Sequence, residues 1–129
     1  MVTEESDEGV VINQPAGHWE DNETLVEAVI RETLEETARK FAPEGLVGCY
    51  QWKIPNKDLT YLRFCFYGSV IGHNEKQSLD DGIISANWLP LEQIEQHTCQ
   101  KRSPMVLACI NDYLSGKRYS LDLLNNMAG

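Results

Sequence analysis

Three glutamates, Glu32, Glu35 and Glu36, stand close together in a stretch whose apolar residues Val26, Ile30 and Leu34 recur every fourth position. On a helix, at about 100° per residue, the three carboxylates share an arc of about 100°, and the apolar residues fall on the opposite face. Crowded carboxylates ionise together only at a cost, unless a cation sits between them. Mg²⁺ answers that need, because it is a hard ion that takes carboxylate and phosphate oxygens and keeps several waters. The alternative is an amphipathic helix with a solvated acidic side, held by the i,i+4 pairs Glu27–Arg31, Glu35–Arg39 and Glu36–Lys40. Charge location bears on the choice. Residues 1–44 hold twelve acids against three bases, so the whole net charge of −9 lies there, while residues 45–129 carry eight of each. Nothing in that balance draws nucleic acid by charge.

The elements that must position these groups follow from periodicity and turn residues. Val10-Val11-Ile12 reads as a strand, closed by the loop Asn13-Gln14-Pro15-Ala16-Gly17. Helical periodicity runs from about Asn22 to Lys40, and Pro43 and Gly45 end it. Leu46 to Trp52 and Leu59 to Ile71 are β-rich runs joined by a hairpin loop, Ile-Pro-Asn-Lys-Asp. Asp80-Asp81-Gly82 is a turn before a strand over Ile83 to Leu89, and Pro90 leads into a short helix. Ser103-Pro104 opens a helix over Met105 to Leu114, which Gly116 stops. Three or four strands and three helices make a mixed α/β domain, and 129 residues suffice for one such domain. No apolar run approaches the ~18 residues of a membrane span. Met1 to Val10 carries four acids and no base, which argues against a signal peptide. Cys49, Cys65, Cys99 and Cys109 lack CxxC spacing and read as reduced, buried small hydrophobes.

The spacing around the helix goes further. Gly17, Glu23, Arg31-Glu32 and Glu35-Glu36 form the pattern G-x5-E-x7-R-E-x-x-E-E. Its chance expectation in a chain of this composition is on the order of 10⁻⁵ to 10⁻⁴. The chain thus resembles the Nudix hydrolases, whose box it matches from Gly17 to Arg39. Asn13 to His18, Tyr61-Leu62-Arg63-Phe64 and Arg102-Ser103-Pro104 look like the bacterial phosphatase NudJ branch of that family.

The resemblance implies a single domain over residues 1–129, an α/β/α sandwich around a mixed sheet, in the cytoplasm. It implies an Mg²⁺-dependent hydrolase, with Mn²⁺ as a substitute, in which water attacks phosphorus of a small nucleoside di- or triphosphate or of thiamine or hydroxymethylpyrimidine pyrophosphate. Glu32 and Glu36 are then the principal metal ligands, with Glu35 a further ligand or the base. Glu35, Glu36 and Arg31 form the catalytic set, and Gly17 and Glu23 support the box, Glu23 by pairing with Arg31. Three positions depart from the usual pattern: Thr33, Ala38 and Arg39 replace an aliphatic, a glycine and an aliphatic. With alanine at 38, the helix is expected to continue toward Lys40 rather than stop in a left-handed cap. Only sixteen residues precede Gly17, where members usually have some 35, so the first strand of the sheet is expected to be absent. That leaves an open edge near Val10 to Ile12, which a homodimer would cover.

Other candidates stand on single residues. Asp81, with Asp80, supplies either a carboxylate to the site or a plain turn. Arg63 reaches substrate phosphate or pairs within the sheet. Arg102 precedes a helix start where an anion can be held. Trp52, with Tyr50 and Tyr61, stacks on a substrate ring or packs in the core. Two rival functions remain: an ADP-ribose or nucleoside-diphosphate-sugar pyrophosphatase, and a binding module that keeps the fold without turnover. The intact Arg-Glu-x-x-Glu-Glu speaks against the second.

Overall fold

The computed structural model describes residues 1–7, 9–97 and 100–127. The acidic start of the chain folds as a hairpin of β1 (Val2–Ser6) and β2 (Gly9–Asn13), in register from Val2↔Asn13 to Ser6↔Gly9. β5 (Ile83–Ala86) lies antiparallel on the far side of β1, and β6 (Gln100–Lys101) runs parallel to β2. The order β5-β1-β2-β6 gives a mixed sheet whose inner residues Val2, Val11 and Ile12 are buried. The edge expected at Val10 to Ile12 is therefore no edge, because β2 is paired on both sides. Val-Thr-Glu-Glu-Ser has no alternation of its own, and only pairing on both flanks makes β1 a strand.

α1 (Leu25–Thr37) begins in a capping box. The Thr24 hydroxyl accepts from the Glu27 N–H at 3.0 Å, and the Glu27 carboxylate accepts from the Thr24 N–H at 2.9 Å. The helix stops sooner than its sequence suggests. Ala38 takes the left-handed conformation (φ 59, ψ 20), its N–H closes on Leu34 O at 2.8 Å, and β3 (Arg39–Lys53) starts at once. Sheet pairing at Arg39↔His73 and Lys40↔Gly72 outweighs the roughly 1–2 kcal/mol that this conformation costs a residue with a Cβ. The i,i+4 partners expected of Glu35 and Glu36 thus leave the helix. Arg39 instead donates to Thr37 O and lies over the Trp88 ring, 5.8 Å from its centroid.

β3 pairs antiparallel with β4 (Thr60–His73) in a second, two-stranded sheet. Both strands reach beyond their apolar runs, and Pro43 is tolerated at an irregularity between Pro43 and Gly45. Gly68 permits the close approach of the strands, since a Cβ there would overlap the Ala42 carbonyl. Among the described residues β4 pairs with no strand on its other edge. α2 (Leu91–Glu95) buries Ile94, and α3 (Met105–Leu114) buries Met105, Val106 and Cys109 against the β3 side. Helices flank the sheets in an α/β/α arrangement. Cys49 is exposed rather than buried, Cys65 is half-buried, and all three described cysteines are free. Cys99 lies outside the described residues.

Candidate active site

Arg31 organises the loop ahead of α1. Its guanidinium takes both oxygens of Glu23, from Nε at 3.0 Å and Nη2 at 2.8 Å, and Nη2 also donates to His18 O at 3.0 Å. Nη1 donates to Glu32 at 2.7 Å and to Glu35 at 3.1 Å, with Glu20 at 3.6 Å. A planar donor fork is the group suited to this many acceptors. Hydrogen bonds from Arg31 and from the Glu20 N–H hold the Glu23 carboxyl below its ordinary range, and hydrogen bonds to Glu23 and Glu32 push the Arg31 guanidinium up. The expected Glu23–Arg31 support of the loop is formed in this way. Glu27 does not pair with Arg31, because it is engaged in the cap.

The three carboxylates of the arc have separate fates. Glu35 turns toward Arg31 with 41% of its side chain exposed, whereas Glu32 is 14% exposed. Glu36 is 3% exposed and accepts the Ala16 N–H at 3.0 Å. Burial first, then the Glu32 charge and a hydrogen bond with Glu32, push the Glu36 pKa up to about 8, with Glu4 adding to the rise. Burial and the neighbouring Glu32 charge thus favour keeping Glu36 protonated in the free protein. Two such neighbouring carboxyls form the cradle that a hard cation fits, since the ion can take the proton's place. No group of three or more His, Cys, Asp or Glu side chains stands ready around one point among the described residues. Glu35 completes a set of three only by leaving Arg31.

Gly17 lies directly over Glu32, and a Cβ there would overlap the Glu32 carboxyl group. Arg63 is occupied: it donates to Gln14 Oε1 at 3.0 Å and to Asn13 Oδ1 at 3.1 Å, while Gln14 Nε2 donates to Val106 O at 2.7 Å. It ties the entry loop to β4 and α3. Arg102 approaches Glu4 at 4.0 Å, and its N–H bonds Ile12 O. Trp52 stacks on Tyr61 across the strands, ring centroids 6.4 Å apart. Gly17, Glu32, Arg63, Arg102 and Trp52 all line one cavity of about 600 Å³. Asp81 does not line it. It sits in an exposed turn whose Asp80 N–H docks on Glu35 O at 2.9 Å. Sequence reasoning missed Glu4 and Asn13. Their link, Asn13 Nδ2 to Glu4 at 3.4 Å, becomes visible only once the β1–β2 register is known.

Comparisons with known proteins bear on the family and the fold. A family model described as NUDIX domain matches residues 3–108. The chain is 39% identical over 127 residues to Phosphatase NudJ of Escherichia coli K12, covering 98% of this chain and 82% of that protein. Phosphatase NudJ of Shigella flexneri matches at the same identity and coverage. A solved NUDIX hydrolase from Nitrosomonas europaea superposes with a TM-score of 0.91 at 42% identity, over 97% of this chain and 86% of that one.

Proposed function

Because the chain belongs to the Nudix family of hydrolases acting on phosphoanhydride bonds, we propose that it acts as one Mg²⁺-dependent domain on small nucleoside di- or triphosphates or on pyrimidine-type pyrophosphates such as thiamine pyrophosphate. The carrying observation is the buried Glu36 carboxyl beside the partly exposed Glu32, both beneath the loop that carries Ala16 and Gly17. Glu32 and Glu36 hold the ion, and Glu35, released from Arg31, serves as a further ligand or as the base that takes the proton from water. When bound, the ion neutralises substrate charge and lowers the pKa of a coordinated water. Arg31 keeps the loop and the carboxylates in register. The cavity wall from Trp52 to Arg102 receives the remainder of the substrate. The phosphatase named among the relatives favours release of orthophosphate over attack inside a sugar diphosphate.

No described helix is long and apolar enough to cross a membrane. We assign the protein to the cytoplasm, with a small-molecule substrate, self-association as a homodimer, and no nucleic-acid or membrane partner.

A panel of nucleoside triphosphates, nucleoside diphosphates, thiamine pyrophosphate and ADP-ribose tests the reading, with Mg²⁺ or Mn²⁺ and readouts for orthophosphate and pyrophosphate. Orthophosphate from the first three is expected. Preferential cleavage of ADP-ribose overturns the substrate class, and no turnover of any member favours the binding module. Millimolar Mg²⁺ is also expected to raise the melting temperature by mass action, where Na⁺ at equal ionic strength does not. Equal effects of the two salts would reduce the acidic helix to a screened surface.

A further inference from the structure

Glu4 stands on the inward face of a strand, where a carboxylate is out of place. β1 and β2 pair Val2↔Asn13 and Glu4↔Val11, and side chains alternate along a strand. Glu4 therefore shares a face with the buried Val2, Val11 and Asn13, while Glu5 lies with Val10 on the exposed face. The Glu4 side chain is 16% exposed. A carboxylate drawn that far out of water is costly unless its oxygens find partners.

The partners that Glu4 finds are weak. Asn13 Nδ2 donates at 3.4 Å, beyond the usual length of such a bond, and Arg102 comes no nearer than 4.0 Å. Asn13 is itself held by Arg63, which donates to its Oδ1 at 3.1 Å. An ionised carboxylate has about four lone-pair sites, so most of the acceptor capacity of Glu4 is unused among the described residues. Glu4 lines the cavity with Asn13, Trp52, Tyr61 and Arg102, and its charge is felt at Glu36. It joins no group of three or more His, Cys, Asp or Glu side chains around one point among the described residues. Glu4 stands beside the carboxylates of α1, not among them.

We propose that Glu4 selects the ring of the substrate, by accepting hydrogen bonds from an exocyclic amine such as that of cytosine, adenine, guanine or a 4-aminopyrimidine. The proposal rests on the reading that the cavity receives the part of the substrate beyond its phosphates. Acidic side chains accept well from the N4 amine of cytosine. In uracil a carbonyl oxygen replaces that amine, and two oxygens flank the one ring N–H. A carboxylate turned toward that edge meets lone pairs and stays unpaired, which is how a polar site rejects a close analogue. Trp52 and Tyr61, stacked on each other, supply a flat aromatic wall for such a ring.

Two pairs of nucleotides that exchange or delete the amine test it: cytidine against uridine and guanosine against inosine. All three tryptophans line the cavity, so quenching of their fluorescence by the monophosphates reads binding without turnover. The parent is expected to bind the amine-bearing member of each pair about tenfold or more tightly. Glu4→Gln leaves one acceptor and adds a donor, and is expected to bring both ratios near one. With the diphosphates its loss in kcat/KM is expected to lie in KM. Glu4→Asp withdraws the carboxylate by one carbon and is expected to give intermediate ratios, which decide the matter if the glutamine variant misfolds. Ratios near one in the parent overturn the proposal, as do ratios that the folded variants leave unchanged. A kcat that falls alike on every ring, with the ratios intact, overturns it and moves Glu4 to the ion. A chain that cleaves no diphosphate yet keeps the parental ratios, and loses them in Glu4→Gln, overturns the hydrolase reading and upholds this one.

Discussion

Glu36→Gln is expected to abolish turnover while leaving the metal-free fold as stable as the parent, or more so. Glutamine imitates the protonated acid: its amide oxygen can accept the Ala16 N–H, and its amide group can donate to Glu32. Once an ion is required, the same substitution removes a ligand oxygen. A loss of about 10³-fold or more in kcat/KM under saturating Mg²⁺ is expected. The pH dependence separates the two effects. Glu36 has a folded pKa of about 8 against an ordinary 4.5, so between those values the folded chain holds a proton that the unfolded chain has lost. The metal-free parent therefore loses stability as pH rises through that window, and the variant does not. Urea denaturation without metal should find the two alike near pH 4.5, with the variant ahead by a few kcal/mol, as an order of magnitude, at pH 8. Glu27→Gln is the control, because glutamine also closes a capping box. If Glu36→Gln hydrolyses as well as Glu27→Gln, the catalytic assignment of α1 is wrong.

Gly17→Ala is expected to cost activity almost as heavily through a single methyl. Gly17 is not among the residues with positive φ, so the backbone accepts alanine there without strain. What does not accept it is the Glu32 carboxyl group, whose carbon and both oxygens would meet the new Cβ. Glu32 is the end of a flexible side chain and will swing aside, giving up its 2.7 Å contact with Arg31 and its bond with Glu36. The fold should survive, with a melting temperature within a few degrees of the parent. Turnover should fall about 10²-fold, and the Mg²⁺-dependent rise in melting temperature should shrink in step. Parental activity in this variant would remove Glu32 from the ligand set.

The acidic face of α1 and the Glu23–Arg31 tie are legible in the sequence because both are helix spacings, and a helix converts sequence distance into direction. The differing fates of the three glutamates are not. Glu36 owes its burial to the Ala16 loop and its charge environment partly to Glu4, and β1 reaches Glu36 only through pairing with β2 and β5. Glu35 is decided by a rotamer that Arg31 attracts. The strand over Val2–Ser6 is invisible in the sequence because Glu4, Glu5 and Ser6 have no strand preference of their own and leave Val2-Thr3 too short a signal. The end of α1 departs from its sequence pattern at Ala38 for a related reason: propensity favours continuing the helix, and the register of β3 with β4 overrides it. Arg63 and Arg102 stand out as residue types, but the sequence cannot show that partners within the protein already engage them.

The ties of Arg31 also carry a kinetic consequence. They reach back eight residues to Glu23 and thirteen to His18, and the Glu36–Ala16 bond spans twenty. The sheet above joins Val2 to Ala86 and Ile12 to Lys101. Loop closure over twenty residues is entropically cheaper than closure over eighty, so the loop-and-helix unit has the low contact order of an early nucleus. In a refolding chain pulsed with exchangeable solvent, the amides of α1 should gain protection before those of β1 and β5. The Glu36–Ala16 contact would then form with that unit, and the Glu4 charge would join the surroundings of the pair only when β1 docks. The early unit would bring the carboxylates together, and the later sheet would complete the field in which the pair awaits its ion.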